Sequence, residues 1–211
     1  MDNIDNLISK LSQDAKAVKP AHHPVLLSLE WITFIVFYLA VSLMISSIRP
    51  DLMVKFQHPW FIAEIVALVA VFITTSFSAA FLSFPDIYQK RFIVLAPIIS
   101  FALFALVMFL AWRADSPPSP APVHSIECTL NITLMAILPA ALVFYVMRKF
   151  ASTHHYWSGS TILISAFSIG ALWLRLYEQT NSISHLITCH YLPMIGIGLI
   201  GMWMGKVFLK W

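Results

Sequence analysis

Two short stretches hold the side chains most able to do chemistry. The first reads HSIEC and supplies His124, Glu127 and Cys128; the second reads HLITCH and supplies His185, Cys189 and His190. Thiolate and imidazole together suit zinc, copper(I) or cadmium-like ions. Two thiols in an oxidising compartment can instead join as a disulfide. The plainest reading is two small apolar side chains beside interfacial histidines. The sequence contains no Cys-x-x-Cys pair, which argues against a thiol oxidoreductase. Which metal, if any, these residues would take is not specified by their spacing.

The remaining ionisable and nucleophilic residues offer less. Gly159 and Ser160 in YWSGST fall on a loop with no positioned base. The pairs His22–His23 and His154–His155 lie between apolar runs and read as solvated. Glu30, Arg175 and Glu178 sit near the ends of such runs. Glu64 alone lies inside one, where it can pair with Arg175 or a nearby histidine, or be satisfied locally. A transporter or proton relay needs ionisable groups at mid-membrane, and this chain has almost none. An enzyme is not expected, and neither is a cofactor.

The elements that must position these residues are membrane spans. The chain has 211 residues, of which 59% are hydrophobic and 11% charged, with a mean hydropathy of +0.81. A soluble domain of this length cannot hide that much apolar surface. Six runs approach the roughly 20 apolar residues needed to cross about 30 Å of hydrocarbon. They are Leu29–Ile48, Phe61–Leu82, Phe92–Trp112, Thr129–Met147, Thr161–Leu176 and Tyr191–Leu209, the fifth being the shortest. Strand-type alternation is absent from the sequence. A cleavable signal peptide is not expected, because the first 28 residues are polar.

Lys and Arg set the orientation. The N-terminus, the 84–91 and 148–160 loops and the C-terminal end carry nine of them, against four in the other connections. Both termini are therefore expected in the cytoplasm. Gly201 and Gly205 form a small-xxx-small pattern suited to close helix packing. RADSPPSPAPVHSIEC, between the third and fourth runs, reads as an extended proline-rich strap.

The opening MDNIDNLISKLSQ differs in kind. Ile4, Leu7, Ile8 and Leu11 fall at i, i+3, i+4 and i+7, one helical face. Asp2 and Asp5 suit the start of a helix and Lys10 its other end. About three turns are marginal alone in water, so something must cover the stripe. The polar face carries Asp2, Asp5 and Asp14 against Lys10, unlike the basic faces of helices that lie on lipid. A protein groove is the better covering. The expected fold is all-α: a polytopic membrane protein of six transmembrane helices with a short cytoplasmic amphipathic helix. Residues 1–28 form the partner-binding helix and tether, and residues 29–211 the transmembrane domain.

Several stretches resemble the NrsF-type family of six-pass membrane anti-sigma factors. They are the amphipathic start through VKP, IRPDL after the first span, EC followed by LNITLMAILPA in the fourth, and the finish YLPMIGIGLIGMWMGKVFLKW. The resemblance implies a bacterial inner-membrane protein that holds an extracytoplasmic-function sigma factor through its N-terminal segment. Its partners would be that sigma factor and lipid, with no direct contact to nucleic acid. Periplasmic stress of metal or oxidative type would release the sigma factor. In the family, outer-face cysteines are implicated in sensing, and Cys128 sits where the first belongs. The second belongs just after the fifth span, where this chain reads RLYEQTNS and has Glu178 but no thiol. The sensor would then use Cys189, or Cys128 with carboxylate and histidine ligands such as His124, Glu127 and His190, or answer a different signal. The competing function is a small metal or solute transporter, or its accessory subunit.

Overall fold

The computed structural model describes residues 2–14, 23–84, 92–114, 125–150 and 152–210. Every regular element among these is helical: α1 (Asp2–Asp14), α2 (Pro24–Ser46), α3 (Leu52–Lys55), α4 (Pro59–Phe81), α5 (Phe92–Ala114), α6 (Ser125–Met147), α7 (His155–Tyr177), α8 (Ile183–His185), a π-helical segment (Leu186–Tyr191) and α9 (Leu192–Phe208). Six helices are long and apolar enough to cross a membrane: α2, α4, α5, α6, α7 and the continuous Ile183–Phe208 helix. The expected all-α, six-span architecture is what the chain adopts.

The first span starts at Pro24, ahead of Leu29. Proline suits a first helical position, where its missing N–H costs nothing. The His23 ring accepts a hydrogen bond from the Val25 N–H at 3.3 Å, which caps the start.

The fifth span departs most from the expectation. The sequence marks it as the shortest, yet α7 is a full 23 residues and begins inside the stretch read as a loop. It is also the centre of the bundle, packed against α2, α4, α6 and α9. Within its most apolar stretch 89% of residues are buried, against 22% to 44% in the other spans. Its low hydropathy comes from Ser158, Ser160, Thr161, Ser165 and Ser168, all buried. Small hydroxyl residues let neighbouring helices approach and bond across the contact. Ser165 Oγ meets Ser76 Oγ of α4 at 2.7 Å. Thr161 and Ser168 return their protons to their own helix backbone.

Gly159, expected in a loop, lies in α7 against α9. A Cβ there would come within 2.1 Å of the Gly201 carbonyl oxygen and 2.6 Å of Gly205 Cα. The pattern Gly201-x-x-x-Gly205 thus meets a third glycine, and the two backbones touch. α5 packs on α4, and Thr74 Oγ1 and Ser100 Oγ sit 2.7 Å apart between them.

At the end of the bundle opposite the start of α2 and the end of α9, the first span stops at Ser47 with φ 68° and ψ 144°. This backbone region is sparsely populated by anything but glycine. The turn throws Ile48–Leu52 back over the bundle. The Arg49 N–H then donates to Leu176 O at 3.0 Å, closing one of the open carbonyls at the end of α7.

Candidate functional site

The distal end, opposite the start of α2 and the end of α9, is rich in buried polar groups. Three connected sets occupy it. In the first, Arg49 is buried and donates through Nε and Nη2 to the Asp51 carboxylate at 2.7 and 2.8 Å. Its Nη2 also reaches Asn181 Oδ1 at 3.1 Å. The guanidinium holds the Asp51 carboxyl down at about 2, below the usual carboxylate range. The IRPDL stretch is therefore a clamp that ties the first span to the segment after α7.

In the second set, Arg175 of α7 donates through Nε and Nη2 to Glu64 of α4 at 2.8 and 3.1 Å. The Tyr191 hydroxyl also donates to Glu64, and Arg175 Nη1 donates to Thr180 O at 2.8 Å. Phe61 lies 4.8 Å beneath the guanidinium, and Phe104 meets the Tyr191 ring edge-on. All three polar side chains are buried. A buried charge is tolerated only when paired and hydrogen-bonded, and here both members are.

The third set is the chemically open one. Cys128, in the first turns of α6, places Sγ 3.7 and 3.6 Å from the two carboxylate oxygens of Glu178. Glu178 is the residue that ends α7, and the Thr180 hydroxyl donates to it. His190 Nε2 lies 3.6 Å from Glu178 Oε2. The His185 and His190 rings sit edge to face, centroids 5.2 Å apart. One donor atom from each of Cys128, Glu178, His185 and His190 lies within 4.8 Å of every other. His185 is 0% and His190 1% exposed, and neither has a hydrogen bond at either ring nitrogen among the described residues. A buried polar atom left so costs about 1–3 kcal/mol.

The π-helical winding brings the two histidines together. Residues five apart on an α-helix point about 140° away from each other, whereas i→i+5 bonding stacks them on one face. The Leu192 N–H bonds to Ile187 O, five residues back. Sequence spacing hides this, because H-x-x-x-x-H does not read as one α-helical face. The winding also turns His185 and Cys189 from expected loop residues into helical ones.

Of the residues singled out from sequence, Cys128, His185 and His190 meet in this cluster. Cys189 is buried one position away, with its thiol 3.4 Å from Thr188 Oγ1 and its carbonyl accepting from Thr129 Oγ1 at 2.5 Å. Both cysteines are thiols. Glu127 points outward at the start of α6. His124 lies outside the described residues. Glu178 and His185 were visible as neighbours in the sequence, but their partners were not. On α1, Ile4 and Ile8 are 64% and 59% exposed, and the side chains of Leu7 and Leu11 lie outside the described residues.

Fold and site together define a multi-pass helical membrane protein with a buried polar cluster at one end and an apolar-edged helix before its first span. The family described as NrsF, negative regulator of sigma F, matches residues 11–211. The chain belongs to that family: it is a membrane anti-sigma factor, and its partner is a sigma factor. Neither curated proteins nor solved structures yield a significant match.

Proposed function

We propose that this chain sequesters an extracytoplasmic-function sigma factor at the bacterial inner membrane and yields it when the distal cluster receives a periplasmic signal. Both termini would face the cytoplasm, as the distribution of Lys and Arg favours. The observation that carries the reading is the exposed Ile4 and Ile8 edge on α1, in a member of a sigma-regulating family. Burying four aliphatic side chains is worth roughly 6–12 kcal/mol gross. Ordering and association consume several kcal/mol of that. What remains suits a partner that can be let go.

Release is a population shift: the signal must bind one arrangement of the bundle better than another. The test uses the full chain in detergent or nanodiscs with the purified sigma factor. Ile8→Asp or Leu11→Asp weakens binding at least about tenfold, since a charge enters an apolar groove. Unchanged affinity in both variants rejects α1 as the docking element.

A further inference from the structure

We propose that Cys128, Glu178, His185 and His190 form a binding site for one divalent cation of the zinc class. The site stands on its own geometry; only its consequence for sigma-factor release rests on the preceding reading.

Four observations converge. The donor set is one thiol, one carboxylate and two imidazoles, all mutually within 4.8 Å. Zinc takes sulfur, nitrogen and carboxylate oxygen in tetrahedral sites with bonds of about 2.0–2.3 Å, which set donor separations near 3.3–3.8 Å. The Sγ–Oε2 and Nε2–Oε2 distances, both 3.6 Å, already match such edges. Hard cations such as magnesium or calcium prefer six or more oxygens, and this cluster offers one carboxylate.

The second observation is the pair of buried rings. Neither ring has a hydrogen-bond partner at either nitrogen among the described residues, and each places one nitrogen in a cluster that also holds a thiol and a carboxylate. A cation would engage one nitrogen of each. The third is support for a ligand: the Thr180 hydroxyl donates to Glu178, the kind of contact that fixes a metal-binding carboxylate. The fourth is access. The Glu178 side chain is 26% exposed while His190 is enclosed, so a cation has a way in from solvent.

Charge also balances. Binding displaces the Cys128 proton to solvent, and the resulting thiolate with the Glu178 carboxylate cancels the two charges of the ion. The neighbouring Arg175 is already matched by Glu64. A neutral metal site can therefore stay buried, as a low-dielectric interior requires.

The test titrates Zn²⁺ and, as a spectroscopic probe, Co²⁺ into the purified full chain in detergent. The expected result is one equivalent bound, with a thiolate-to-cobalt charge-transfer band that Zn²⁺ displaces. Cys128→Ser abolishes the band and Cys189→Ser leaves it. Glu178→Gln, which keeps its shape and the Thr180 contact, weakens binding at least about tenfold. Failure of the unaltered chain to take up either metal stoichiometrically overturns the site. So does a band that survives Cys128→Ser or disappears with Cys189→Ser. None of these failures touches sigma-factor docking through α1, which is read by a separate binding measurement.

Discussion

Glu64 and Arg175, 111 positions apart in the chain, face each other as a buried two-point ion pair, with Nε–Oε1 at 2.8 Å and Nη2–Oε2 at 3.1 Å. The pair joins α4 to α7, and the Tyr191 hydroxyl extends it to the last span. Removing one partner of such a pair leaves an uncompensated buried charge, at a cost of about 3–5 kcal/mol, whereas replacing both with apolar residues is often neutral. Arg175→Met alone should destabilise the bundle by that amount. Glu64→Leu combined with Arg175→Met should recover most of it. Unfolding midpoints in a mild detergent titrated with a denaturing one measure both. A double variant as unstable as the single one would mean the pair does more than neutralise itself.

The crossing of α7 and α9 makes a contrast between two glycines of the same helix. A Cβ at Gly205 would lie 2.0 Å from the His155 carbonyl oxygen, a backbone atom with no freedom to move aside, whereas a Cβ at Gly196 meets nothing within 4 Å. Gly205→Ala should cost about 1–3 kcal/mol or more through overpacking. Gly196→Ala should be neutral or gain up to about 1 kcal/mol of helix propensity. Thermal unfolding of the two variants side by side decides it, and equal effects would place the close crossing elsewhere.

Asp51 gives a pH prediction whose sign follows from its partner. Its carboxyl titrates at about 2 beside Arg49, against about 3.9 in an unfolded chain. The folded value is depressed, so its contribution is present above pH ~4 and fades as the pH falls toward about 2. Asp51 is partly exposed, and solvent screening keeps that contribution small. Carboxylate infrared bands of isotope-labelled protein should show Asp51 ionised to near pH 2. Arg49→Gln should return it to the ordinary range; an unchanged titration would mean another group holds it down.

For the sensor, Cys128→Ser and His190→Gln should each lose most of the stress-induced rise in sigma-dependent transcripts, normalised to the amount of protein in the membrane. Full induction in both would separate the cluster from signalling. Cys128 and Cys189 are each 8% exposed, so labelling of either thiol in the folded protein should be slow and should speed up sharply on denaturation. Fast labelling of the native chain would contradict their burial.

Hydropathy made the six spans legible because lipid demands long uninterrupted apolar helices. It underestimated α7 because hydropathy scores a buried serine as polar, while Ser165 spends its hydroxyl on Ser76 of α4 and Ser158 on Ser152 and the Leu82 carbonyl that follows α4. Cys128 and His190 stood out by chemical type. Glu178 was harder to place, since it comes from the far end of α7 and meets Cys128 only through tertiary packing. His185 stood out by type as well, but its meeting with His190 was hidden by winding: an α-helical spacing turns the two apart, and only the wider π-helical turn brings them together.

The glycine contact gives α7 and α9 the mechanics of scissors. Their backbones bear on each other at Gly159, Gly201 and Gly205, which acts as the rivet. The residues that end α7 and begin the last span, Glu178 and His190, are the opposite tips. Because the rivet sits near the start of α7 and the end of α9, any relative movement of the two rods would be largest at those tips.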